Sequence, residues 1–138
     1  MDKLSAKKTN LRSKKGQLLA KQNEKQSYLN TAYDIGIIYD RLAEDKRVIR
    51  EYRNSVKTFV KEKFDTFSGD LYSNSYKTKM EDLISKYDSV ISNIDTNMDR
   101  LNTARAQYEN KAYKCNGVIG YLQSAINSLV HEIENWVN

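Results

Sequence analysis

The chain contains no proline, one cysteine, one histidine, one tryptophan and five glycines in 138 residues. A single cysteine, Cys115, excludes an internal disulfide framework, and with His131 as the sole histidine no Cys/His zinc cluster can be assembled. No apolar run approaches the ~20 residues needed to cross a bilayer, and the N-terminus lacks the apolar centre of a cleavable secretory signal. Synthesis in the cytoplasm is expected, with any export by a dedicated route. There is no Gly-rich phosphate loop. No carboxylate pair lies in an apolar setting that would separate its pKa values, and no nucleophile has an identifiable base. Asp88, Asp95 and Asp99 share an otherwise polar helix face with Lys86 and Arg100, as a solvated surface does. The expectation is a protein that is not an enzyme, with no cofactor, no metal and no small-molecule substrate.

What is present is charge and period. The chain is 39% hydrophobic and 30% charged, a balance suited to a soluble helical protein rather than a dense globule. Residues 1–25 carry Lys3, Lys7, Lys8, Arg12, Lys14, Lys15, Lys21 and Lys25 against Asp2 and Glu24, so the pI of 9.2 reports one basic arm. Within that arm Leu4, Leu11 and Leu18 recur every seven residues, a narrow apolar seam flanked by lysines. In the second half Ile84, Ile91, Met98, Arg105, Ala112, Ile119, Ile126 and Ile133 form one heptad series. Tyr87, Ile94, Leu101, Tyr108, Cys115, Leu122, Leu129 and Trp136 form the other. Only Arg105 breaks the apolar pattern, and alternating three- and four-residue steps link the series, as a sustained coiled-coil-like helix requires. The first half repeats the theme with Tyr28, Ile35, Leu42, Ile49 and Val56, joined by Ile38, Tyr52 and Phe59. On this pattern Cys115 is a buried small hydrophobe, His131 lies off the seam in solvent, and Trp136 is the seam's last anchor.

Two helices of similar length need one reversal, and Gly69 stands at the midpoint by count. Its permissive backbone can end one helix, Asp70 or Ser73 can cap the next, and Phe64 and Phe67 can close the apolar tip against Leu71, Tyr72 or Tyr76. The expected fold is all-α, a single domain of residues 1–138 forming an antiparallel two-helix hairpin. Helix 1 spans about 3–65, the turn about 66–70 and helix 2 about 71–136, with residues at one level having numbers that sum to about 138. That register clusters Gly16, Gly117 and Gly120, where either the backbones approach closely or the hairpin bends. Around residues 118–130 the apolar face widens, because Val118, Tyr121, Ala125 and Val130 lie outside both series. A face this wide, with one other helix to cover it, implies a partner that completes a helical bundle, either another copy or a different chain.

These residues also carry a resemblance. "FSG" at 67–69, between two helices of a proline-free chain, resembles the tryptophan-any-glycine turn of WXG100-type proteins, which travel through type VII secretion systems. The segment "YENKAYKCNGVIGYLQSAINSLVHEIEN" at 108–135 is similar to the C-terminal signature of the YwqH-like family, small helical proteins associated with LXG-domain toxins. The shared pattern is Glu109 and Asn110, Gly117, Ile119 and Gly120, Leu122, Ser124, then Ile126 to Leu129 and Glu132 to Glu134. The resemblance implies a non-enzymatic, chaperone-like adaptor of a Gram-positive bacterium that binds the helical N-terminal region of an LXG toxin and helps present it to the type VII secretion machinery. It implies a turn motif at Phe67 and Gly69, close helix packing at Gly117 and Gly120, and other small WXG100-like proteins or a homodimer as further partners. Taken with the wide face, it makes Val118, Tyr121, Leu122, Ala125, Ile126, Leu129, Ile133 and Trp136 the expected partner-binding residues. Phe67 departs from the family's tryptophan, keeping aromatic packing without the indole N–H. No Tyr-x-x-x-Asp/Glu export signal follows Tyr108, Tyr113 or Tyr121, so targeting would depend on the partner or the chain would stay behind. A second function fits the residues without the resemblance: a self-associating coiled coil whose lysine-rich arm meets anionic lipid or nucleic acid.

Overall fold

A computed structural model describes residues 2–66 and 75–137, and these are all-helical: α1 runs Asp2–Thr66 and α2 runs Lys77–Val137. The expected turn motif at Phe67 and Gly69 lies outside the described residues, as do Leu71 and Tyr72. Few residues oppose helix formation within either element. Gly16, Gly36, Gly117 and Gly120 each cost about 1 kcal/mol relative to alanine, and i,i+3 and i,i+4 pairs work against that loss. Lys21 meets Glu24 at 3.1 Å, Arg47 meets Glu44 at 2.6 Å and Glu51 at 2.5 Å, and Gln26 donates to Asn30 at 2.9 Å. Such pairs contribute about 0.2–0.5 kcal/mol each, so helices of this polarity also depend on burying one stripe against a neighbour.

The chain divides into two compact units, each made of one stretch of α1 and one of α2. In the first, Met1–Asp34 with Ala104–Asn138, the buried residues are Ala32, Ala112, Cys115 and Leu122. Leu4, Leu11, Leu18, Tyr28, Tyr108, Ile119, Ile126, Leu129 and Ile133 are half-buried beside them. Lys7 reaches Glu132 at 2.8 Å, Lys14 lies over Tyr121 and Tyr28 packs on Tyr108 at 6.2 Å between ring centroids. Rising numbers on α1 thus meet falling numbers on α2, and the helices run antiparallel in the register the midpoint predicts.

The second unit, Ile35–Thr103, follows the same rule. Val60, Ile91 and Ile94 are buried, with Ile35, Leu42, Ile49 and Val56 of α1 and Ile84, Tyr87, Met98 and Leu101 of α2 half-buried. Lys46 pairs with Asp95, Arg53 with Asp88 at 2.9 Å, and the Phe59 and Tyr76 rings lie 6.5 Å apart.

Two expectations need correction. Ile38, Tyr52 and Phe59 are exposed rather than members of the α1 seam. The second row of that seam is Ala32, Tyr39, Lys46, Arg53 and Val60, because a stripe built from alternating three- and four-residue steps passes through these positions whatever their polarity. Lysine and arginine fill it with their aliphatic stems and carry their charges out to Asp95 and Asp88. The expected close packing at Gly117 and Gly120 is also absent between α1 and α2: a Cβ added at Gly16, Gly117 or Gly120 meets nothing within 4 Å. The small residues deepest in this unit are Ala32, Ala112 and Cys115, exposed by only 4%, 1% and 3%.

Leu122 is 3% exposed and Leu19 is 60% exposed. Leu122→Ala is expected to lower unfolding free energy by about 2–3 kcal/mol, and Leu19→Ala by no more than about 0.5 kcal/mol. Urea denaturation followed by circular dichroism measures both. Equal losses would mean that the seam does not separate inside from outside.

Candidate interaction surface

The residues expected to bind a partner divide into two groups once α2 is placed. Leu122 is buried, and Ile126, Leu129 and Ile133 are half-buried on the seam that α2 shares with α1. Val118, Tyr121 and Trp136 stay 43%, 65% and 50% exposed, while Ala125 is half-buried. The first group sits on the seam, at the heptad positions that hold the unit together. Val118, Tyr121 and Ala125 form a short strip along one flank of α2, following one another at helical three- and four-residue spacing. Trp136 stands apart from it, on the heptad series of Leu122 and Leu129 near the end of the helix, and is half exposed there instead of closing the seam. Gly117, Gly120 and the 75% exposed Tyr113 lie on the outward side of the same helix.

Basic residues of α1 border this strip. Lys7, Lys14 and Lys21 occupy seam positions at seven-residue spacing, and all three are half-buried. Lys7 Nζ lies 6.0 Å from the centroid of the Trp136 ring and Lys14 Nζ lies 5.9 Å from that of Tyr121. Each ammonium is attracted to the negative face of its ring while its stem covers apolar surface beneath. From sequence alone the lysines read as a basic arm in solvent; a three-four walk from Leu4 through Leu11 and Leu18 would have placed Lys7 and Lys14 on the seam.

Further along, Lys111 Nζ lies 4.9 Å from the Tyr108 ring and 5.8 Å from that of Tyr28. The Tyr28 hydroxyl donates to Glu24 at 3.2 Å, and Glu24 also accepts from Lys21 at 3.1 Å. The Lys21 hydrogen bond, then that from Tyr28, holds the Glu24 carboxyl below the ordinary carboxylate range, and the bond to Glu24 raises both Lys21 and Tyr28. A small open crevice beside this cluster is lined by Lys21, Glu24, Tyr28, Lys111, Lys114 and Cys115. Cys115 is buried, its Sγ 3.4 Å from the Lys111 carbonyl oxygen, as a small hydrophobe on the seam. His131 is exposed, with Nε2 3.3 Å from Asn135 Nδ2. Among the described residues no group of three His, Cys, Asp or Glu side chains is placed to hold a metal ion, and no helix is long and apolar enough to cross a membrane.

The acidic face that the sequence suggests is merely solvated contains two inter-helix ties. Asp88 and Asp95 reach Arg53 and Lys46 of α1. What the surface of the first unit offers chemically is contact area: an aromatic and aliphatic strip with ammonium groups along one edge, suited to a packed helix.

Because the folded Glu24 pKa is depressed, its contribution to stability is present above the unfolded carboxylate value and is lost as pH falls through the folded one. Thermal melts of the wild type and Glu24→Gln should therefore differ at neutral pH, and the difference should shrink as pH falls through and below the ordinary carboxylate range. A difference that stays the same from neutral pH down to about pH 2, where a carboxyl is protonated in both states, would show that the carboxylate contributes nothing through its charge.

No family model matches the chain, and no curated protein and no solved structure matches it.

Proposed function

We propose that the chain is a non-enzymatic, chaperone-like adaptor that pairs with the N-terminal helical domain of an LXG toxin for type VII secretion. The observation that carries the reading is the exposed pair Val118 and Tyr121 on one flank of α2 in the first unit. It falls within the 108–135 segment whose sequence is similar to the YwqH-like signature. Exposed apolar surface at helical spacing can take a further helix, and an amphipathic helix laid along it would complete a three- or four-helix bundle. Seam lysines temper the alternative of an arm that grips lipid or nucleic acid, since Lys7 and Lys21 are already engaged by Glu132 and Glu24.

A tagged pull-down from the native cell, with the complex sized and its chains identified by mass spectrometry, tests this. The expected result is a larger protein held through a helical N-terminal region in a fixed ratio. Val118→Asp and Tyr121→Asp, both at exposed positions, should reduce that recovery at least about tenfold while the circular dichroism spectrum is unchanged. Recovery of this chain alone, or of nucleic acid released by raised salt, would overturn the adaptor reading.

A further inference from the structure

The two units differ in charge. Residues 35–103 hold twelve Lys or Arg and twelve Asp or Glu, so the whole formal excess of +5 falls on the first unit, which also carries the uncovered strip. We infer that this strip, with the lysine row of α1 along its edge, takes a partner helix whose apolar stripe is bordered by carboxylates, in preference to a second copy of this chain. The inference rests on the adaptor reading and adds the chemistry of the partner.

The argument is local first. Lys7, Lys14 and Lys21 repeat every seven residues, the spacing at which a neighbouring helix would present one side chain per two turns. Lys7 is paired with Glu132 at 2.8 Å and Lys21 with Glu24 at 3.1 Å. Lys14 lies between them over the Tyr121 ring, and among the described residues no carboxylate pairs with it. A ring face satisfies one side of an ammonium that has three donors. A helix seated on Val118, Tyr121 and Ala125 would displace water from that ammonium, which favours an acidic side chain opposite and penalises a basic one.

The long-range term points the same way. A second copy docked strip to strip would bring one +5 unit against another, whereas an acidic helix meets an attractive field at distances up to about 10 Å at 0.1 M salt. The neutral unit of residues 35–103 has no such preference. An anionic membrane would share the charge requirement. It fits less well because the lysines sit at seam positions over ring faces, alongside the strip, instead of crowning a separate polar face as on a helix that lies in a bilayer surface.

Two synthetic helical peptides test the inference, with the same leucine stripe, one edged by glutamate and the other by lysine. Each peptide carries a fluorescent label, and its binding is followed by anisotropy. In 50 mM salt the glutamate-edged peptide should bind the full chain at least about tenfold tighter than the lysine-edged one, and the gap should narrow at 500 mM. Lys14→Gln should shrink the gap and Lys14→Glu should shrink it further, with helicity unchanged by circular dichroism. Sedimentation equilibrium should show no dimer dissolved by Tyr121→Asp. Equal binding of the two peptides, indifference to both Lys14 variants, or a dimer that Tyr121→Asp dissolves would overturn the inference. So would capture on phosphatidylglycerol vesicles, lost in Lys14→Glu, with neither peptide bound. A toxin client recovered from cells whose docking helix is edged by lysine would leave the adaptor reading standing and sink only the charge preference. Discrimination between the peptides with no client in cells would do the reverse.

Discussion

The constraint on which everything else depends is that a helix facing a single neighbour can bury only one stripe. In each unit the buried residues fall on that stripe alone: Ala32, Ala112, Cys115 and Leu122 in one, Val60, Ile91 and Ile94 in the other. Among the described residues no large side chain is fully buried. Stability in such a seam is distributed, with each position contributing a modest transfer of apolar area and no central cluster to dominate. Every seam position therefore has to be occupied by something that excludes water, and not all of the occupants are apolar.

That requirement explains the lysines and arginines of α1. Lys7, Lys14, Lys21, Lys46 and Arg53 all stand at half-buried seam positions. Their stems supply methylene surface and their charged ends leave the seam, to Glu132, Glu24, Asp95 and Asp88 or onto the faces of Trp136 and Tyr121. Partly exposed pairs of this kind contribute about 0–1 kcal/mol each, so their value lies less in strength than in fixing which residues meet. Lys46 with Asp95 and Arg53 with Asp88 pin one antiparallel register, in which a slip by a turn would bring each cation past its carboxylate. The apolar pattern of α2 is nearly the same at every heptad and would tolerate such a slip far better than the ion pairs do.

How much of this is legible in the sequence follows from the same chemistry. The α2 seam reads directly, since from Ile84 to Ile133 seam position and apolar identity coincide everywhere but at the half-buried Arg105, and the antiparallel register follows from two helices of like length. The α1 seam reads only in part. Selecting apolar letters picks Ile38, Tyr52 and Phe59, which are exposed, and passes over Lys46 and Arg53, because residue polarity and position on the stripe are separate variables. Glycine misleads in a similar way: Gly16, Gly117 and Gly120 do lie in one unit, yet they face open space, and the deepest small residues are alanines and the cysteine. The division of α2 between seam and exposed flank is the hardest to read. Leu122 and Tyr121 are neighbours in sequence and both apolar, but a rotation of about 100° along the helix puts one on the shared seam and the other in solvent.

The division of α2 into a seam and a flanking strip also sets what a partner can gain. Removing Leu122, Ile126 or Leu129 from the seam to serve an outside helix would uncover the stripe that α1 already covers, so a partner has to take the strip as it stands. Such a partner adds a second covered stripe to α2 without spending the first, and binding the folded seam but not the unfolded chain raises the stability of the whole by mass action. A protein with a shallow, distributed core is the kind in which that increment is a large fraction of the total. A partner seated on the flank would therefore couple its occupancy to folding strength through one helix, whose inner stripe holds the unit together.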